Sequence, residues 1–265
     1  MQGTGETLLQ LHIGRLSVGY GRRRIIEALD LPALEGGTVT ALIGPNAAGK
    51  TTLLRALAGL VPAKGSIRLD DVELTGLSVA GHARHVTYMP QALPQRVALT
   101  VFEATLSALM SSRGDALSAA GAHARALDAL ARLGISDLAM RGLDELSGGQ
   151  RQLASLAQSI VREPAVLLLD EPTSALDIHH QLRVMQLVAE LVRERSIIVV
   201  IVLHDIAQAA RYAQRVVVLQ NGAVAADGTP EAAITPETLA RVYRVEARVE
   251  RCSHGFLQVI VDRAV

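Results

Sequence analysis

The chain has 265 residues, enough to bury a sizeable core as one large domain or as a domain with an inserted lobe. Lys plus Arg and Asp plus Glu both total 26, so the zero formal charge gives no support to a nucleic-acid or acidic-membrane footprint. A single cysteine, Cys252, excludes an internal disulfide and any cysteine-cluster metal spacing, and fits a reducing compartment. Hydrophobic residues make up 49% of the chain. Even so, the longest purely apolar run, Ile197 to Leu203, falls far short of the roughly 18 to 20 residues of a spanning helix. The opening "MQGTGETLLQLHIGRLSVGYG" has no basic region followed by an apolar stretch, so a cytoplasmic chain without a secretory signal is expected.

From the N-terminus, residues 8–43 carry short alternating segments, "LLQLHIGRLSV" and "TVTALIG", that predict strands, and "GSIRLDDVEL" at 65–74 extends the pattern. The first ninety residues thus read as β-rich around one helix that begins near Lys50. Between Ala98 and Leu146 the pattern changes to Ala- and Leu-rich helical spacing, as in "TVFEATLSALMSS" and "AHARALDALARLG", which predicts a helical insertion. "AVLLLDE" at 165–171 and "SIIVVIVLHD" at 196–205 are continuous apolar runs ending in polar residues, as expected of parallel strands covered on both faces. In such a sheet, ligands gather at the carboxyl ends of the strands, where Asp170, Glu171 and His204 fall. "VVVLQNGAVAADG" at 216–228 predicts a hairpin about Asn221-Gly222.

"GPNAAGKTT", Gly44, Pro45, Asn46, Ala47, Ala48, Gly49, Lys50, Thr51 and Thr52, matches a phosphate-binding loop between a predicted strand and a predicted helix. Amides from 46 to 50 would cradle phosphates, Lys50 would reach the β and γ oxygens, and the Thr51 hydroxyl would ligate Mg²⁺. Ala47 and Ala48 depart from the commoner Gly and Ser. Without a glycine's access to positive φ, the loop at Ala47 is expected to be right-handed or mildly strained. The strand "VLLLDE" brings Asp170 toward the Mg²⁺ shell and sets Glu171 beyond it, where a carboxylate can orient an attacking water. Gln91, in "YMPQ", is a candidate sensor of Mg²⁺ and water, and His204 a candidate partner of the γ-phosphate. Tyr20, in "VGYG", is one of four tyrosines and suits adenine stacking.

A second anion site is legible at "LSGGQRQ". Ser147 and Gln150 form a capping box, Gly148 and Gly149 leave first-turn amides uncovered, and a helix with apolar residues at 153, 156, 157, 160 and 161 follows. In order, Tyr20, "GPNAAGKTT", Gln91, "LSGGQ", "VLLLDE", "SALD" at 174–177 and His204 resemble the motif set of ABC-transporter ATPase subunits over nearly the whole chain. The finer resemblance, in "LDEPTSALDIHHQLRVMQLV" and "ADGTPEAAITPETLARVYRVEARV", is to importers of iron chelates (haem or ferric siderophores) and of cobalamin, although 100–120 lacks their Gly-Arg-x-Pro-like segment. His179 and His180 are adjacent on a predicted helix, point apart and are not read as a metal pair.

The resemblance implies an α/β P-loop NTPase: a mostly parallel RecA-like core sheet, an antiparallel β subdomain and an inserted α-helical subdomain. It places boundaries at 1–91, 92–160, 161–240 and 241–265. It implies an ATPase using ATP and Mg²⁺, with Thr51, Gln91 and Asp170 at the metal and Lys50, Glu171 and His204 in catalysis. Two copies would meet head to tail, so that Ser147, Gly148, Gly149 and Gln150 contact the partner's ATP and Asp177 lies at the interface. Implied partners are an integral-membrane permease dimer and, indirectly, a periplasmic or extracytoplasmic binding protein, at the cytoplasmic face of the membrane, with no nucleic acid. The alternatives are a soluble ABC-type ATPase of cluster assembly or repair and a nucleotide-binding regulatory module without turnover.

Overall fold

A computed structural model describes residues 8–91, 98–112 and 117–265. The first residues of the expected signal-free N-terminus, and residues 92–97 just past the expected boundary at Gln91, lie outside these. The chain opens with β1 (Gln10–Tyr20) and β2 (Arg23–Glu35), then β3 (Thr38–Ile43) and α1 (Lys50–Leu57), followed by β4 (Ala63–Leu69), β5 (Val72–Glu73), a single turn α2 (Val79–His82) and β6 (Val86–Met89). Helices α3 (Val101–Ser112), α4 (Ala119–Leu133) and α5 (Gly148–Ile160) come next. Strand and helix then alternate through β7 (Val166–Asp170), α6 (Ile178–Arg195), β8 (Ile198–Val202), α7 (Ile206–Tyr212) and β9 (Arg215–Gln220). The chain closes with β10 (Ala223–Gly228), α8 (Pro230–Ala233), α9 (Pro236–Tyr243), β11 (Val245–Arg251) and β12 (Leu257–Ala264).

Three sheets result among the described residues. A six-stranded sheet runs in the order β10-β9-β3-β8-β7-β6, parallel except for the edge strand β10. β1, β2, β4 and β5 form an antiparallel sheet in the order β2-β1-β4-β5, and β11 pairs with β12. The continuous apolar runs have a simple cause: alternate residues enter different cores. Leu167, Leu169, Val199 and Ile201 pack toward the helices, whereas Val166, Leu168, Ile198 and Val200 pack toward α1 and the antiparallel sheet. A strand covered on both faces has no position at which a polar residue is favoured until it leaves the sheet.

Local signals set the ends of the elements. Ser118 accepts a hydrogen bond from the Gly121 amide at the start of α4, and Gly134 closes that helix in the left-handed region at φ 69°. At the β9–β10 hairpin, Asn221 and Gly222 take φ values of 51° and 77°, the positive pair a two-residue turn of this hand requires. Register aligns the strand ends that matter most. Val202 pairs with Leu42 of β3 on one side and Asp170 of β7 on the other, so the segments after β3, β7 and β8 leave the sheet at one edge.

Candidate functional site

The loop leaving β3 is held by close backbone contacts. A Cβ at Gly44 would lie 2.2 Å from the Leu219 carbonyl oxygen, and the residue has φ 146°, so glycine is required there. The Gly44 backbone also lies against the Tyr243 phenol, which burial pushes up to about 12. Asn46 and Ala47 are exposed at the tip, and Thr52 sits half-buried in the first turn of α1. Of the two expectations for Ala47, strain is the outcome: its φ is 64°, left-handed despite the Cβ, a conformation that costs roughly 1–2 kcal/mol. The Ala48 amide, expected among the phosphate cradle, donates inside the loop to the Pro45 oxygen at 3.2 Å. Lys50 is buried and its Nζ donates to the carbonyl oxygens of Gly44 (2.6 Å) and Pro45 (2.9 Å). Burial lowers the pKa of its ammonium, while Glu171 and Asp170 pull the other way.

At the same sheet edge, Asp170 is fully buried at the end of β7. Thr51 donates to its Oδ1 at 3.1 Å, and the Tyr88 hydroxyl donates to its Oδ2 at 2.9 Å. Burial raises the Asp170 pKa; the bonds from Tyr88 and Thr51 hold it down, and the neighbouring Glu171 charge pushes it up. Burial likewise lifts the Tyr88 phenol to about 12, so it remains a donor. Two hard oxygen donors side by side, Thr51 and Asp170, next to a buried ammonium form a set that fits Mg²⁺ beside a polyphosphate. Arg55 of α1 lies near both Tyr88 and Tyr20, whose phenols raise its pKa, so the exposed Tyr20 ring neighbours this cluster.

Glu171 is turned by a left-handed backbone, φ 54°, and lies almost wholly buried. Gln91 donates Nε2–H to its Oε2 at 2.5 Å, and His204 Nε2 lies 2.5 Å from its Oε1. A carboxylate only accepts, so Nε2 of His204 carries the proton in this contact. Both oxygens of one carboxylate are therefore fixed by side chains from two different strand ends.

The second cluster stands apart from the first. Ser147 caps α5 as its sequence predicts: Ser147 Oγ accepts from the Gln150 amide at 3.3 Å, and Gln150 Oε1 accepts from the Ser147 amide at 3.0 Å. Ser147, Gly149, Gln150 and Asp177 line a cleft of about 420 Å³ that none of residues 44–52 reaches. Asp177 is exposed and caps α6, accepting from the amide of His180 (2.9 Å) and facing its Nδ1 (2.8 Å). A Cβ at Gly149 would lie 2.9 Å from the Ala175 oxygen, whereas a Cβ at Gly148 would meet nothing. Sequence reasoning missed Tyr88, Arg55, Gln152 and Tyr243. Tyr88 lies three residues before the predicted Gln91, on the short strand β6 that leads to it, and the others carry no local signal.

Residues 32–174 match the protein family described as ABC transporter. The chain is 40% identical over 230 residues to the hemin import ATP-binding protein HmuV of Nocardia farcinica, covering 84% of this chain and 76% of the relative. It is 35% identical over 246 residues to the ferric enterobactin transport ATP-binding protein FepC of Escherichia coli, covering 92% and 90%. Among solved structures it resembles an inward-facing putative metal-chelate type ABC transporter, with a TM-score of 0.80 and 25% identity over 96% of this chain and 98% of that one. It also resembles the dimeric ATP-binding cassette MJ0796 bound to ADP and Pi, with a TM-score of 0.75 and 25% identity over 84% and 98%. The phosphate loop, the paired carboxylates at one sheet edge and these likenesses agree: the chain belongs to the ABC transporter family, as an ATP-binding, ATP-hydrolysing subunit.

Proposed function

We propose that two copies of the chain bind two MgATP head to tail and that their closing and reopening drives import of an iron chelate, haem or a ferric siderophore, or of cobalamin. Lys50 and the loop from Gly44 to Thr52 would hold the phosphates, Tyr20 the adenine, and Thr51, Asp170 and Gln91 the Mg²⁺, whose charge would offset that developing on the phosphates. Glu171 would orient the attacking water and His204 would meet the γ-phosphate. From the other copy, Ser147, Gly148, Gly149 and Gln150 would close the site, with Asp177 at the interface. The chain would sit peripherally on the cytoplasmic face of the cell membrane, against an integral-membrane permease dimer served by an extracytoplasmic binding protein. Its units would be 1–91, 92–160, 161–240 and 241–265, the second being the lobe that meets the permease.

The observation that carries this reading is the carboxylate of Glu171, fixed at both oxygens by Gln91 and His204 beside the Thr51–Asp170 pair. The open space around Gly148 supports the composite site, because the fold of this chain gives no reason for a glycine there. The named cargoes of the hemin and ferric enterobactin relatives support an iron chelate, and the dimeric cassette supports the pairing. The test is Glu171→Gln. ATP affinity is expected to stay within about threefold while turnover falls on the order of 10²- to 10⁴-fold, and an ATP-bound dimer accumulates on size exclusion. Hydrolysis at the parental rate would remove Glu171 from the chemistry. Retention of the chain on membranes only when a permease is co-expressed tests the transport half of the reading.

A further inference from the structure

The two clusters are not independent, because one buried side chain joins them. Gln152 lies one helical turn into α5, two residues past the capping Gln150, and is 5% exposed. Its Nε2 donates to the backbone oxygen of Glu171 at 2.6 Å and lies 3.4 Å from Ser174 Oγ, while its Oε1 accepts from the Ala175 amide at 3.0 Å. The same segment is held from its other side. Gln181 of α6 donates to the oxygens of Thr173 (3.2 Å) and Leu176 (3.1 Å), and Gln208 of α7 donates to Gln181 Oε1 at 3.0 Å. Residues 171–176 are thus held by α5, which Ser147 caps, and by α6, which α7 braces through Gln208. Because Glu171 is in the left-handed region, the direction of its carboxylate depends on how its own peptide is held. That peptide's oxygen is held by α5.

We propose that Gln152 is a positioning residue that couples the two composite sites: when Ser147–Gln150 of one copy engage the partner's ATP, Gln152 passes the resulting placement of α5 to that copy's own Glu171. The coupling rests on the head-to-tail reading above, since it links the nucleotide on the partner's loop to the carboxylate serving the copy's own. It makes hydrolysis at each site depend on occupancy of the other, which a structural prop alone would not do.

The experiment is steady-state ATP hydrolysis by the full chain over a range of ATP, for wild type, Gln152→Met and Gln152→Glu. Gln152→Glu keeps the length and the acceptor for the Ala175 amide but loses the donor to Glu171, so it reads the coupling if the apolar variant does not fold. Wild type is expected to be sigmoidal; both variants are expected to lose about five- to fiftyfold in turnover, the range of ordinary site–site coupling, and to become hyperbolic with ATP affinity of the separate chain unchanged. A fall in turnover with sigmoidality intact, or a hyperbolic wild type, would overturn the coupling. A second measurement leaves Gln152 untouched: a wild-type copy paired with a Lys50→Ala copy is expected to run at less than about a fifth of the wild-type rate, and half the rate would overturn the proposal. ATP-dependent dimerisation of Glu171→Gln separates the two readings. If that dimer forms and the cooperativity results fail, only the coupling is lost; if it never forms, the composite site is lost and the coupling with it.

Discussion

At the scale of single residues, the site depends on buried groups whose neighbours decide their charge. Asp170 is shielded from water, a setting that raises its pKa, while donors from Thr51 and Tyr88 favour its ionised form, the form a cation would need. Removing the Tyr88 hydroxyl leaves Oδ2 without that donor. A hydrogen bond to a charged group contributes about 1.5–3 kcal/mol, so Tyr88→Phe is expected to raise the Mg²⁺ concentration for half-maximal hydrolysis about tenfold, read from a Mg²⁺ titration at saturating ATP. An unchanged Mg²⁺ requirement would show that Tyr88 is only a packing group. Ala47 illustrates the opposite economy: its left-handed backbone is held by the loop in spite of the Cβ, next to a Gly44 that has no alternative.

At the scale of elements, caps fix where helices start and therefore where site residues stand. Asp177 anchors α6 through the His180 amide and ring, and those bonds, the amide first, hold its carboxyl below the usual range. The sign follows from that direction. A carboxyl with a lowered folded pKa contributes stability that is present above its unfolded value, near pH 3.9, and is lost as pH falls through the lower folded value. The Asp177 carboxyl followed by NMR is expected to titrate with a midpoint below about 3.9; a midpoint at or above it would mean the cap is absent in solution. Ser147 acts likewise at α5, where replacing a capping serine by alanine costs about 1 kcal/mol. Ser147→Ala is expected to lower the unfolding midpoint slightly and to leave ATP affinity of the separate chain unchanged, because Ser147 is remote from the loop of its own copy.

At the scale of the whole molecule, the parts legible in the sequence are those whose cause is local. The phosphate loop, the capping box at Ser147, the Asn221-Gly222 turn and the doubly covered strands each follow from residue types within a few positions. Asp170, Glu171 and His204 were legible as strand ends because a parallel sheet gathers its carboxyl ends. Gln152 and Tyr243 were not, since a side chain that meets a distant backbone group leaves no periodic or spacing signal. The strain at Ala47 and Glu171 was hidden or only half visible for a related reason: tertiary contacts impose it on residues that do not favour it. The molecule carries two separate clusters, one on the loop after β3 and one at the start of α5, which the proposed function reads as two half-sites. In the proposed dimer, neither half works until a second copy supplies the other. Mixing a Ser147→Arg chain with a Lys50→Ala chain tests this most directly, because only the mixed dimer pairs an intact loop from the first with an intact "LSGGQ" from the second. Each chain alone is expected to be inert and the mixture to regain a small part of the wild-type ATP hydrolysis, below about a fifth because the one intact site has no loaded partner; a mixture no more active than the sum of its two components would contradict the composite site.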